Sequence, residues 1–149
     1  MARARQSIFI QAPIDEVFQF AKKPGNWTSF YNHLSKPDRI EGTGDTGTEV
    51  ETVFSIVGLR FPVDIHVVRC ERSGDEGFWE GIISGSFIAH QTSHYRSLEG
   101  GTEAVFELEI DLPDSAFDRF TERLVYDRLE KNTLRHTLEN LKAACELDR

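Results

Sequence analysis

Three histidines are the first candidates for chemistry in this chain. His90 and His94 stand four apart in the run from Phe87 to Leu98, on one face of a strand, and His66 lies in an earlier alternating run. Three imidazoles with one open position would suit zinc. Alternation instead assigns all three to the face opposite the apolar one, beside Arg96 and Asp64, and no cysteine or carboxylate falls at ligand spacing. No metal and no cofactor is therefore expected. Ser93 and His94 suggest a nucleophile with its base, but neighbours on a strand point to opposite faces, so the pairing fails on geometry. The run Gly42-Thr43-Gly44-Asp45-Thr46-Gly47 lacks the Lys-Ser/Thr ending of a phosphate loop and has Glu41 and Glu49 beside it, so it reads as a hairpin turn.

A second set of candidates sits near the C-terminus. An apolar stripe of Phe117, Phe120, Leu124, Leu134, Leu138, Leu141 and Cys145 is interrupted by Asp127, Arg128 and Lys131. A charge facing an apolar interior is costly unless paired. On one reading, Arg128 or Lys131 meets a carboxylate or phenolate on an otherwise apolar ligand, with Asp127 as partner in the empty protein. On the other, the stripe drifts around the helix, Val125 and Leu129 take the contact, and the three charges are solvated, with an Asp127 to Lys131 pair adding a few tenths of a kcal/mol. Acid/base catalysis would need a titratable group in an apolar pocket, and the inward polar residues Thr52, Gln91, Ser93 and Tyr95 include no convincing base.

The elements that position these residues follow from periodicity. Arg5 to Gln11 is a short strand that hands over at Ala12-Pro13 to a helix, with Ile14, Val17, Phe18 and Ala21 at helical spacing and Asp15 and Glu16 in the first turn. Pro24-Gly25 ends it, and Asn26 to Leu34 forms a second short helical or turn segment carrying Trp27, Phe30, Tyr31 and Leu34. From 37 to 111 the pattern is an antiparallel meander with one buried face. Its inward positions are Val50, Thr52, Phe54 and Ile56; Phe61, Val63, Ile65 and Val67; Trp79, Gly81 and Ile83; Phe87, Ala89, Gln91, Ser93 and Tyr95; and Ala104, Phe106, Leu108 and Ile110. Ser115 and Asp118 resemble a capping box opening a helix that runs to about residue 146, roughly 45 Å at 1.5 Å per residue.

Composition bounds the rest. A chain of 149 residues with 39% apolar and 28% charged residues, eleven of its aromatics being Phe, can bury a core and reads as one globular domain over 1–149. The net charge of −8, with no basic run longer than Lys22-Lys23, argues against nucleic acid as a partner. No signal segment or membrane span is recognisable, so a cytoplasmic protein with Cys70 and Cys145 reduced is expected.

The phrase Ile10-Gln11-Ala12-Pro13-Ile14-Asp15-Glu16-Val17-Phe18, followed by Asn26-Trp27, resembles the opening of START-like (SRPBCC superfamily) proteins, and Leu98 to Leu108 resembles their last hairpin. The element order matches over the whole chain. The resemblance implies an α+β helix-grip fold: a curved antiparallel sheet of about seven strands around a long C-terminal α-helix, with two short helices after strand 1. It also implies a cavity between sheet and helix for a lipid, quinone or polyketide-like molecule. Under that reading the ligand is lined by Phe54, Ile65, Trp79, Ser93, Tyr95 and Phe106 from the sheet, and by Phe120, Leu124, Arg128 and Lys131 from the helix. The chain departs from the family pattern at Thr28-Ser29, where proline is frequent, and at Ser93, where a large aromatic is frequent. Alternatives are a polyketide cyclase/dehydrase-like enzyme, with Tyr95, Arg128 or Lys131 assisting proton transfer, and a protein-protein interaction module. Carrier and enzyme alike require a pocket of several hundred Å³.

Overall fold

The computed structural model describes residues 2–56, 58–111 and 119–147; the side chains of 2 and 119–123 lie outside that description. Seven strands, β1 (Ala2–Ile10), β2 (Arg39–Glu41), β3 (Glu49–Ile56), β4 (Leu59–Ser73), β5 (Glu76–Gly85), β6 (Ile88–Leu98) and β7 (Gly101–Asp111), form one antiparallel sheet in the order β1-β7-β6-β5-β4-β3-β2. Helix α1 (Ile14–Lys22) and a 3-10 turn (Pro24–Ser29) follow β1. The C-terminal helix comprises α2 (Arg119–Arg128), a π-helical turn (Leu129–Leu134) and α3 (Arg135–Glu146). The helix-grip expectation is correct, and the period-2 reading of the inner face holds along β3 to β7: Val50, Thr52, Phe54, Ile56, Val63, Ile65, Val67, Trp79, Gly81, Ile83 and the inward residues of β6 and β7 are buried. A bulge between Val67 and Arg69 shifts the β4 register and leaves Val68 exposed.

The helix departs from the expected stripe, and the π turn is the cause. Its buried apolar residues are Val125, Leu129, Leu134, Leu138 and Leu141, so one interval, 129 to 134, is five residues instead of three or four. An α-helix advances about 100° per residue, so the extra residue lets both halves present an apolar face to the sheet. Extrapolating the 134–141 stripe backwards without that residue puts Leu124, Asp127 and Lys131 inward by mistake. In fact Leu124 is 45% exposed, Arg128 and Lys131 are exposed, and Asp127 is half-buried. The capping box at Ser115 and Asp118 and the side chains of Phe117 and Phe120 lie outside the described residues, although Phe120 falls within α2.

β1 is the terminal strand of the sheet on the helix side, and the helix supplies partners for its backbone. The Arg5 and Gln11 N–H groups donate to Glu130 (3.2 Å) and Glu146 (2.8 Å), and the Lys142 ammonium donates to the Phe9 carbonyl (2.9 Å). Gln6 Nε2 donates to the Glu130 carbonyl within the π turn (2.8 Å). The glycine run before β3 is a structural clasp against α1. Gly44 has φ +100°, its N–H donates to Thr48 Oγ1 (2.9 Å), and Asp45 pairs with Lys22 at 2.7 Å. A Cβ on Gly44 would lie 2.0 Å from the Lys22 carbonyl oxygen, which no side chain can meet.

Candidate functional site

The inside of the grip is mainly aromatic. Trp27 meets Trp79 edge to face at 5.7 Å, Phe18 meets Tyr95 at 5.6 Å, Phe54 meets Phe87 at 5.0 Å, and Tyr31 lies 6.0 Å from Phe106. Both indole N–H groups are occupied, Trp27 donating to the Ala21 carbonyl (3.0 Å) and Trp79 to that of Gly44 (3.2 Å). Gly81, opposite Gln91 on β6, leaves the space over which the Trp79 ring lies, since a Cβ there would stand 2.7 Å from it.

Within this apolar interior sits a polar cluster: Tyr31, His33, Gln91, Ser93 and Tyr95, all buried. Gln91, Ser93 and Tyr95 reach it by alternation on β6, flanked by Gly81 and Trp79 of β5 and by Leu108 and Phe106 of β7. Tyr31 and His33 reach it through a connection held at both ends. Asn32 N–H donates to Thr137 Oγ1 of α3 (3.0 Å), and the His33 carbonyl accepts from Ser55 N–H of β3 (2.8 Å). Leu34 bridges to Phe54, and Ser35 N–H donates to the Val53 carbonyl (3.0 Å), so the segment is laid along β3 with His33 turned inward.

The cluster is under-satisfied. Both ring nitrogens of His33, Gln91 Nε2 and Ser93 Oγ are buried and make no hydrogen bond. Such atoms cost about 1 to 3 kcal/mol each in an apolar interior. Burial lowers the His33 pKa to about 4, Gln91 opposing this, so the imidazole is neutral at pH 7. Burial likewise raises Tyr31 and Tyr95 above the ordinary phenol value, with Ser93 and Gln91 partly offsetting the shift at Tyr31 and Ser93 that at Tyr95. Ser93 is thus within hydrogen-bonding reach of Tyr31 and Tyr95, and Gln91 of Tyr31 and His33, although these contacts miss good hydrogen-bond geometry at the His33 nitrogens, Gln91 Nε2 and Ser93 Oγ. The chemistry on offer is recognition by neutral donors and acceptors inside an aromatic wall.

Among the described residues, the space enclosed by Trp27, Tyr31, Leu34, Ile65, Trp79, Gly81, Ile83 and Gln91 is about 10 Å³, room for one water. A larger groove of about 600 Å³ opens outside, between the β3–β4 turn and the π turn, lined by Asn32, Ser55, Ile56, Gly58, Arg128, Asn132, Thr133 and His136.

The structure thus brings six of the sequence-predicted residues together in the interior: Phe54, Ile65, Trp79, Ser93, Tyr95 and Phe106. Arg128 lines the outer groove, while Leu124 and Lys131 also lie outside, and among the described residues the helix contributes Val125, Leu129, Leu134, Leu138 and Leu141 to the core. His66, His90 and His94 are on the outer face, facing Glu49 (3.5 Å), Glu80 and Glu76 (3.5 Å) in turn. No group of three potential ligands among the described residues is placed for a metal. Cys70 and Cys145 are half-buried, and burial pushes the Cys70 thiol up to about 11. The residue missed by sequence reasoning is His33. Its signal was a histidine set in an aromatic segment, Trp27 to Leu34, with no carboxylate in that segment.

Comparison with known proteins gives a family and a fold. The family model described as "Polyketide cyclase / dehydrase and lipid transport" matches residues 1–146. No curated protein matches the sequence. A protein of Thermus thermophilus superposes with a TM-score of 0.75 at 17% identity, covering 94% of each chain. The major latex-like protein 151 of Panax ginseng superposes with a TM-score of 0.65 at 14% identity, covering 97% of each. The di-domain ARO/CYC BexL from the BE-7585A biosynthetic pathway gives 0.69 at 16% identity, over 97% of this chain and 50% of that one. At these identities the likeness is one of fold.

Proposed function

The chain belongs to the polyketide cyclase / dehydrase and lipid transport family, and from that premise we propose that it binds a hydrophobic small molecule bearing a hydroxyl or carbonyl group in the interior between sheet and helix. The observation that carries this reading is the set of unpaired polar atoms on His33, Gln91 and Ser93 at the centre of an aromatic core. A ligand hydroxyl or carbonyl would satisfy donors and acceptors that the fold leaves empty, while its apolar body replaces ring contacts.

The space beside Trp27, Trp79 and Gln91 is about 10 Å³, so a ligand that reaches the polar cluster from there displaces the rings that border it. That is a population shift whose cost reduces the apparent affinity. The enzyme reading loses Arg128 and Lys131, which are outside, and His33 with a pKa near 4 is a weak proton acceptor at neutral pH, so carriage is favoured over catalysis.

Trp27 and Trp79, the two tryptophans of the chain, both border the void, so intrinsic emission reports its opening. Titration with 1-decanol is expected to shift that emission saturably, and His33→Leu with Gln91→Leu is expected to weaken 1-decanol about fivefold or more while sparing decane. Native mass spectrometry of protein purified from its host would show the natural ligand. Absence of both an emission change and a bound mass would sink the proposal.

A further inference from the structure

We infer that the outer groove at the π turn receives the anionic end of an amphiphile, a carboxylate or phosphate monoester, whose apolar chain runs past Ile56 into the interior. This deepens the binding reading above and rests on it.

The groove is unusual for this chain. The protein has 25 acidic and 17 basic residues, yet among the described residues the groove's lining includes no carboxylate, and it combines the Arg128 guanidinium and the His136 imidazole with the amides of Asn32 and Asn132 and the hydroxyls of Ser55 and Thr133. Arg128 forms no ion pair or hydrogen bond with any described residue, so its five donors remain available for a planar or tetrahedral oxyanion. The π turn makes this arrangement. By shifting the register it carries Arg128 outward, where Asn132 and His136, four and eight residues on, join it along one side of the groove.

The groove also adjoins the interior. Its inner wall includes Asn32, next to His33, and Ile56, two residues beyond Phe54 on the same face of β3, and the His33 and Phe54 rings are themselves in contact at 4.8 Å. A ligand anchored on Arg128 therefore faces the layer behind which the unpaired polar atoms lie. Neutral donors and acceptors inside and the Arg128 guanidinium outside match a chain with a polar group along its body and an anion at one end.

The test compares decanoate, decyl phosphate, 1-decanol and inorganic phosphate on the intact protein, read by Trp emission and, for phosphate, by calorimetry. Decanoate or decyl phosphate is expected to bind about tenfold more tightly than 1-decanol. That preference should vanish in Arg128→Gln and shrink in His136→Gln, with 1-decanol bound as before. Arg128 is exposed and unbonded, so the variant is expected to melt like the parent. If acid and alcohol bind alike, or the preference survives Arg128→Gln, the groove inference fails and the binding reading stands. If none of the three alkyl probes binds the parent protein, both fail. If inorganic phosphate binds as tightly as decyl phosphate and depends on Arg128, the groove serves a free anion and the amphiphile is overturned.

Discussion

His33 is held where no proton is welcome. Its backbone is fixed by the Ser55 hydrogen bond, its ring lies against Phe54 and Tyr31, and both nitrogens lack partners. The unfolded chain takes up a proton near the ordinary histidine value of 6.5, the folded one only near 4. Between those values the unfolded state binds more protons, so stability is full above about pH 6.5 and falls as pH drops toward 4. The expected loss from this residue alone is about 2 kcal/mol between pH 7 and pH 5. Urea unfolding at both pH values should show that much less pH dependence in His33→Leu than in the parent; equal slopes would contradict the burial of a neutral imidazole. This residue was hard to read from sequence for a physical reason. Tyr31 and Leu34 have helical spacing from Trp27, but what turns His33 inward is a bridge to β3, a contact about twenty residues away. Gln91, Ser93 and Tyr95 were legible because alternation along a strand needs no such contact.

At the scale of elements, the strands were readable from period-2 patterning and the helix was not, since a π turn adds one residue that no periodicity announces. The consequence is a sharp contrast between two leucines. Leu129→Ala, at a fully buried position, is expected to cost about 2 to 4 kcal/mol in urea unfolding. Leu124→Ala, on the solvent side despite its place in the apparent stripe, is expected to change stability by less than about 0.5 kcal/mol. The reverse order would restore the uninterrupted helix. The same turn explains why Asp127, Arg128 and Lys131 looked like a polar island in a core. They are the flank of a helix whose two halves are rotated against each other.

For the whole molecule, family and architecture were legible because the opening phrase, the meander and the terminal helix together specify a grip. The volume inside it was not, because it depends on how Trp27, Trp79, Phe54 and Phe87 interlock, and small changes of ring angle decide whether space is left. The helix carries a second duty in the contacts of Glu130 and Lys142 with β1 and of Glu146 with Gln11 just beyond it. Those side chains occupy the one row of strand N–H and C=O groups on that side that pairs with no other strand, the kind of border that recruits a foreign strand when bare. Glu130→Ala with Lys142→Ala is therefore expected to raise light scattering on mild heating, while Arg135→Ala with Glu139→Ala, an exposed pair on the same helix, leaves it unchanged. Such a border ties access to self-association: any lifting of the helix that admitted a ligand would also bare an adhesive edge, so the closed form should be the one that stays dispersed.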